Sequence, residues 1–159
     1  MRVDPAHHQT AAGGFLPGNQ IFEKERGMSE KFNLVKAHLL EMGMPVVMED
    51  PDEELVVVED EEKGIKNLII DCEDSILILE QVIIPVPDDP GELFRSLLKM
   101  NRRLVHGAFV MDGDEKHILF RDTLCLENLD RNELEGSIDA LGLAMAEHGA
   151  ELLGYVKQS

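Results

Sequence analysis

Two apolar runs, residues 65–72 and 76–84, are separated only by Glu73, Asp74 and Ser75. A connection that short cannot return the chain to the starting end of a sheet, so the runs are antiparallel neighbours. Leu68, Ile70 and Cys72 share one side of the first run, while Ile69 lies on the other. Ile76 and Leu77 divide the second run in the same way, because side chains alternate along a strand. Helices on one side would leave an apolar face bare, which a second layer or a second subunit should cover.

The neighbouring segments extend this meander. Residues 46–48 read as a short strand and residues 55–58 as another, after the turn at Asp50-Pro51-Asp52. Upstream, Phe32, Val35, Leu39 and Met42 recur at helical spacing, with Ser29 as N-cap and Gly43 and Pro45 as stop signals. The spacing predicts a helix over about residues 30–42. Downstream, Pro85-Val86-Pro87 breaks the sheet. Asp89, Pro90 and Glu92 then form the pattern of a capping box, ahead of a stripe of Leu93, Leu97, Met100 and Leu104.

That helix hands over to a hairpin. A two-residue turn at Gly113-Asp114 would pair Phe109 with Ile118 and Ala108 with Leu119, placing Phe109, Ile118 and Phe120 on one face. Leu124 and Leu126 extend the hairpin or form a further strand. Asp130 and Glu133 cap the last helix, whose stripe is Leu134, Ile138, Leu141, Met145 and Leu152. Gly142, Ala146, Gly149 and Ala150 form a small-residue strip beside it, for close packing or for fraying. The order α-β-β-β-β-α-β-β-(β)-α indicates an α+β fold with an antiparallel sheet flanked by helices.

At 159 residues the chain is most economically one domain. Residues 1–27 lack a sustained period, and their three bases and three acids cancel, so the whole net charge of -17 sits on residues 28–159. Residues 1–27 are expected to be a flexible arm or a mis-assigned start, and residues 28–159 the domain. Such a negative surface repels phosphate backbones and anionic lipid, so neither nucleic acid nor membrane is an expected partner. No apolar run is long enough for a span, and no secretory signal core is present. Cys72 and Cys125 lack metal-type spacing and read as two buried thiols in a reducing, cytoplasmic setting.

Chemistry is sparse. There is no phosphate-cradling loop, no His-Glu-x-x-His and no Gly-x-Ser-x-Gly. Residues 46–62 hold nine carboxylates without the frame of a calcium loop, and read as a solvated hairpin. His7-His8 is a weak metal site, and in the expected register His106 faces Arg121 and His117 faces Val110, so they do not converge. Glu80 and Gln81, inside the most apolar strand, are the polar groups that invite a function. Glu80 either has a raised pKa, as a catalytic acid would, or points to the sheet edge, or pairs with a base such as Arg102 or Arg121. No catalytic, cofactor or metal residues are assigned.

The block Leu97-Leu98-Lys99-Met100-Asn101, then Gly107-Ala108-Phe109, a short acidic turn and Ile118-Leu119-Phe120-Arg121 resembles the central motif of the YbjN-like family. That family is grouped with bacterial sensory-transduction regulators and is similar in fold to type III secretion chaperones of the Tir/CesT kind. The likeness runs from about Met28 to Tyr155. It implies a sheet flanked by helices, a homodimer and no catalytic machinery, with Leu97, Leu98, Asn101, Gly107, Phe109 and Phe120 as the motif. Chaperones of that fold hold an extended client segment against apolar patches. Asn101 has a structural role open to it, at the helix end, and Gly107 another, at the start of the strand.

The function expected is therefore a non-enzymatic, dimeric module that binds itself and a protein client, without cofactor. Ile69, Ile76, Ile78, Val82, Ile84, Ala108, Val110 and Leu119 are the expected surface for dimer or partner. The rivals are a small-molecule-binding regulator using the same sheet face, and an enzyme using Glu80 with a histidine.

Overall fold

A computed structural model describes the backbone of residues 18–157 and the side chains of residues 30–157; His7-His8 lies outside them. Helix α1 (Gly18–Glu41) leads into strands β1 (Val46–Asp50), β2 (Leu55–Asp60), β3 (Ile65–Glu73) and β4 (Ile76–Pro85). A 3-10 turn at Glu61–Lys63 joins β2 to β3. Helix α2 (Leu93–Asn101), strands β5 (Ala108–Met111) and β6 (His117–Cys125), and the long helix α3 (Arg131–Lys157) complete the chain. The strands form one antiparallel sheet in the order β1-β2-β3-β4-β6-β5, so α2 carries the chain to the far edge and β6 returns between β5 and β4.

One core holds the helices to the sheet. Phe32, Val35 and Leu39 of α1, Leu93, Leu97 and Met100 of α2, and Leu134, Ile138, Leu141 and Leu152 of α3 are buried in it. They meet Val56, Val58, Leu68, Ile70, Leu77, Leu79, Phe109, Ile118 and Phe120, alternate residues along each strand. All three helices therefore contribute to the core on one face of the sheet.

Helix ends follow local chemistry. Gly43 (φ +68) closes α1, its amide reaching Leu40 O at 3.0 Å while Met44 N reaches Leu39 O at 2.9 Å, a Schellman stop. The other end of α1 corrects the sequence reading. The helix begins at Gly18, not near residue 30, so Ser29 is a helix-interior residue and not the N-cap. Residues 19–26 are mostly adequate helix formers, and Gly27 is tolerated within the run.

The capping box before α2 is also absent. Asp89 Oδ1 accepts from Gly91 N at 3.2 Å, which closes a turn, and α2 starts later, at Leu93, with Glu92 as an N-cap lacking a side-chain bond. At α3 the box is present: Glu133 N donates to Asp130 Oδ1 (2.8 Å) and Asp130 N to Glu133 Oε2 (3.1 Å). The small-residue strip does not fray α3. Gly142 lies against the 3-10 turn, where a Cβ would sit 3.2 Å from Lys63 O.

The hairpin differs in register from the tight-turn expectation. Phe109 pairs with Phe120, Ala108 with Arg121, Val110 with Leu119 and Met111 with Ile118. Asp112 selects this longer loop, its Oδ1 accepting from Lys116 N (2.7 Å) and His117 N (3.1 Å). The bond to the His117 ring first, and then those from the backbone, hold the Asp112 carboxyl below its ordinary pKa. A slip of two residues preserves sidedness, so Phe109, Ile118 and Phe120 still share the core face. Leu124 lies in β6, which stops before Leu126. Cys72 is buried, but Cys125 is exposed, contrary to the expectation of two buried thiols.

Candidate interaction face

The face of the sheet away from the helices is read from the pairing. One rung crosses it as Met48, Val57, Ile69, Glu80, Arg121 and Ala108. Flanking rungs are Leu55, Asp71, Ile78 and Thr123 on one side and Val82, Leu119 and Val110 on the other. Ile76 lies beyond, between Glu73 and Cys125. Met48, Ile69 and Val82 are 50%, 41% and 59% exposed, while Val57 and Ile78 are largely covered within the sheet.

Seven of the eight surface residues expected from the sequence share this face. Ile84 does not. The register shifts between Val82 and Ile84, a bulge that gives β4 one extra residue, and Ile84 then pairs with Ile118 inside the core. A bulge reverses the alternation beyond it, which is why counting by twos from Val82 misplaces Ile84.

Polar groups on the face are few. Glu80 Oε1 accepts from Arg121 Nη1, its cross-strand neighbour, and this ion pair is the structural alternative to a free catalytic acid. Asp71 has its pKa raised, first by burial and then by Glu73, Glu53 and Glu80. The face is thus apolar with an acidic end near Asp71 and Glu73. Gln81 points to the other side and is 3% exposed. Its Oε1 accepts from Lys66 N (2.9 Å) and its Nε2 donates to Gly64 O (3.2 Å), so it stands in for a strand partner beyond the paired part of β3 and β4.

The motif residues explain each other. Asn101 ends α2, and its side chain clamps β5 at two points: Phe109 N donates to Oδ1 (2.7 Å) and Nδ2 donates to Phe109 O (3.1 Å). From the helix end, where its structural role was expected, it holds the strand. Gly107 (φ +70) precedes β5, and a Cβ there would lie 2.4 Å from Phe120 Cζ. Phe109 and Phe120 meet edge-to-face at 6.2 Å. Leu97 is buried, whereas Leu98 is 73% exposed and nothing in the fold accounts for it. His148 was not singled out in the sequence; it is buried and edge-on to Phe109. His106 is exposed and His117 bonds Asp112, so the two histidines form no common site.

Comparison with known proteins places these features. No curated protein matches the sequence. The fold is similar to that of YbjN from E. coli, described as a candidate transcription regulator: TM-score 0.59, 14% identity, covering 76% of this chain and 92% of that one. It is also similar to a chain of the HopA1–SchA chaperone–effector complex: TM-score 0.54, 16% identity, covering 75% of this chain and 94% of that one. The CesT_Tir_1 family model matches residues 28–158. By that match, and with the fold in agreement, the chain belongs to the CesT_Tir_1 family.

Proposed function

We propose that this chain is a non-enzymatic, dimeric, chaperone-like binding module whose helix-free sheet face holds a second copy and a client protein segment. The observation that carries the reading is the exposure of Met48, Ile69 and Val82 on a face to which, among the described residues, no helix contributes core. Apolar side chains displayed together on a strand face are a docking surface when nothing of the same chain packs on them. Membership of a chaperone-like family and the likeness to a chaperone–effector complex support protein binding. Glu80 serves as a structural ion-pair partner of Arg121, and the face performs no chemistry.

Sedimentation of the full chain and of an Ile69→Glu, Val82→Glu double variant tests the dimer. Both side chains are already exposed, so the variant keeps its fold while its association weakens at least tenfold. A wild-type chain that remains monomeric near 100 μM, with affinity-captured partners unchanged by the double variant, would sink the proposal. The rival enzyme reading requires that Glu80→Gln abolish a phenotype that the wild type rescues. A small molecule held on the same face would co-purify and appear in native mass spectra.

A further inference from the structure

A second surface lies on the helix side, between the 3-10 turn and α3. The turn approaches α3 closely at two glycines: a Cβ on Gly64 would sit 2.9 Å from Met145 Cβ, and one on Gly142 3.2 Å from Lys63 O. Beside this contact is an open groove of about 640 Å³ with Ile138, Leu143, Met145 and Ala146 in its lining. Leu143 is 65% exposed. It also borders a second hollow of about 280 Å³, which continues across α3 to Val105.

The rim is acidic. Glu61, Glu62 and Asp139 border the groove, and among the described residues none of the three is in an ion pair. Lys63, the base on this rim, lies 3.7 Å from Asp60 Oδ2, a further carboxylate that offsets its charge. The second hollow mixes signs, with Arg103, His106 and Glu147 in its lining, but the groove at the 3-10 turn is apolar with an excess of negative charge and selects its occupant by sign. Nucleic acid and anionic lipid are repelled. A second copy in two-fold contact would set the same carboxylates against each other. The strip runs over Leu143 from one hollow to the next, which suits a chain segment better than a compact ligand.

We infer that the groove between the 3-10 turn and α3 binds a cationic amphipathic segment of a partner protein, apolar residues on Leu143 and Ala146 and Lys or Arg on Glu61, Glu62 and Asp139. This site is on the opposite side of the sheet from the face proposed above and does not depend on it.

The test uses the full chain and a synthetic 14-residue amphipathic peptide of leucine and lysine, carrying fluorescein and one photoreactive benzoylphenylalanine. Binding is read by anisotropy at 150 mM salt. The groove reversal Glu61→Lys, Glu62→Lys, Asp139→Lys is compared with Asp52→Lys, Glu53→Lys, Glu54→Lys, which changes net charge equally on another part of the surface. The groove reversal should weaken binding at least tenfold and the control less than threefold, with photo-adducts on α3 around Leu143. Ala146→Arg, at an exposed position, should reproduce the loss should the triple variant fail to fold. Equal losses in the two reversals, an unaffected Ala146→Arg, or adducts on the sheet face would overturn the inference. So would a groove reversal that alters the oligomeric state and leaves peptide affinity alone.

Discussion

Gly107 is held by two independent demands. Its φ of +70 lies where a Cβ costs about 1–2 kcal/mol, and that Cβ would also overlap the Phe120 ring, in a core where overpacking costs about 1–3 kcal/mol. Gly107→Ala should therefore lose about 2–5 kcal/mol in urea unfolding; a loss below about 1 kcal/mol would mean the loop relaxes freely. Asn101→Ala should lose about 1–3 kcal/mol, because it strips the Phe109 backbone of both side-chain bonds. Asn101→Asp should recover only part of this, since a carboxylate accepts from Phe109 N but cannot donate to its carbonyl. The thiols divide as sharply: burial pushes Cys72 up to about 12, so a thiol reagent at pH 8 should label exposed Cys125 and reach Cys72 only on unfolding. These roles were only half legible in the sequence. Asn and Gly mark a helix end and a turn by type, but the Asn101 clamp joins residues whose approach depends on the hairpin register.

At the scale of elements, alternation was legible and irregularity was not. Leu68, Ile70 and Cys72 could be assigned to one side because residues 68–72 continue an unbroken strand. Ile84 could not, because the bulge after Val82 is a feature of how β4 pairs with β6, which the sequence of β4 alone does not display. The hairpin shows the same limit: Gly113 and Asp114 favour a tight turn locally, yet the Asp112 bonds draw the loop out to five residues. The groove at α3 was hidden for a similar reason, since the 3-10 turn and Leu143 are far apart in the chain. Within β3, Asp71 makes a pH prediction. Its carboxyl pKa is raised from 3.8 in the fold, so the folded state binds that proton more tightly than the unfolded chain. Stability from this group is highest below 3.8 and falls as pH rises through the raised value. Asp71→Asn should raise the urea midpoint at pH 7 and leave it nearly unchanged at pH 3; an equal gain at both would point to packing instead of charge.

For the molecule as a whole, the two proposed surfaces respond to salt in opposite directions. The chain carries a net charge of -17, and association through the sheet face brings two such charges together, with the Asp71 and Glu73 end of each face adding locally. The attraction there is burial of Met48, Ile69 and Val82, which salt does not screen, whereas the repulsion has a range of about 10 Å at 0.1 M salt and about 3 Å at 1 M. Dimer affinity should therefore strengthen severalfold between 0.05 and 0.5 M sodium chloride. Binding of the cationic peptide at α3 is attraction between opposite charges and should weaken over the same range. Sedimentation equilibrium and anisotropy on one preparation read the two slopes side by side. A dimer that loosens with salt would mean an interface of ion pairs, for which the sheet face, where Glu80 and Arg121 are already matched across strands, is the wrong surface.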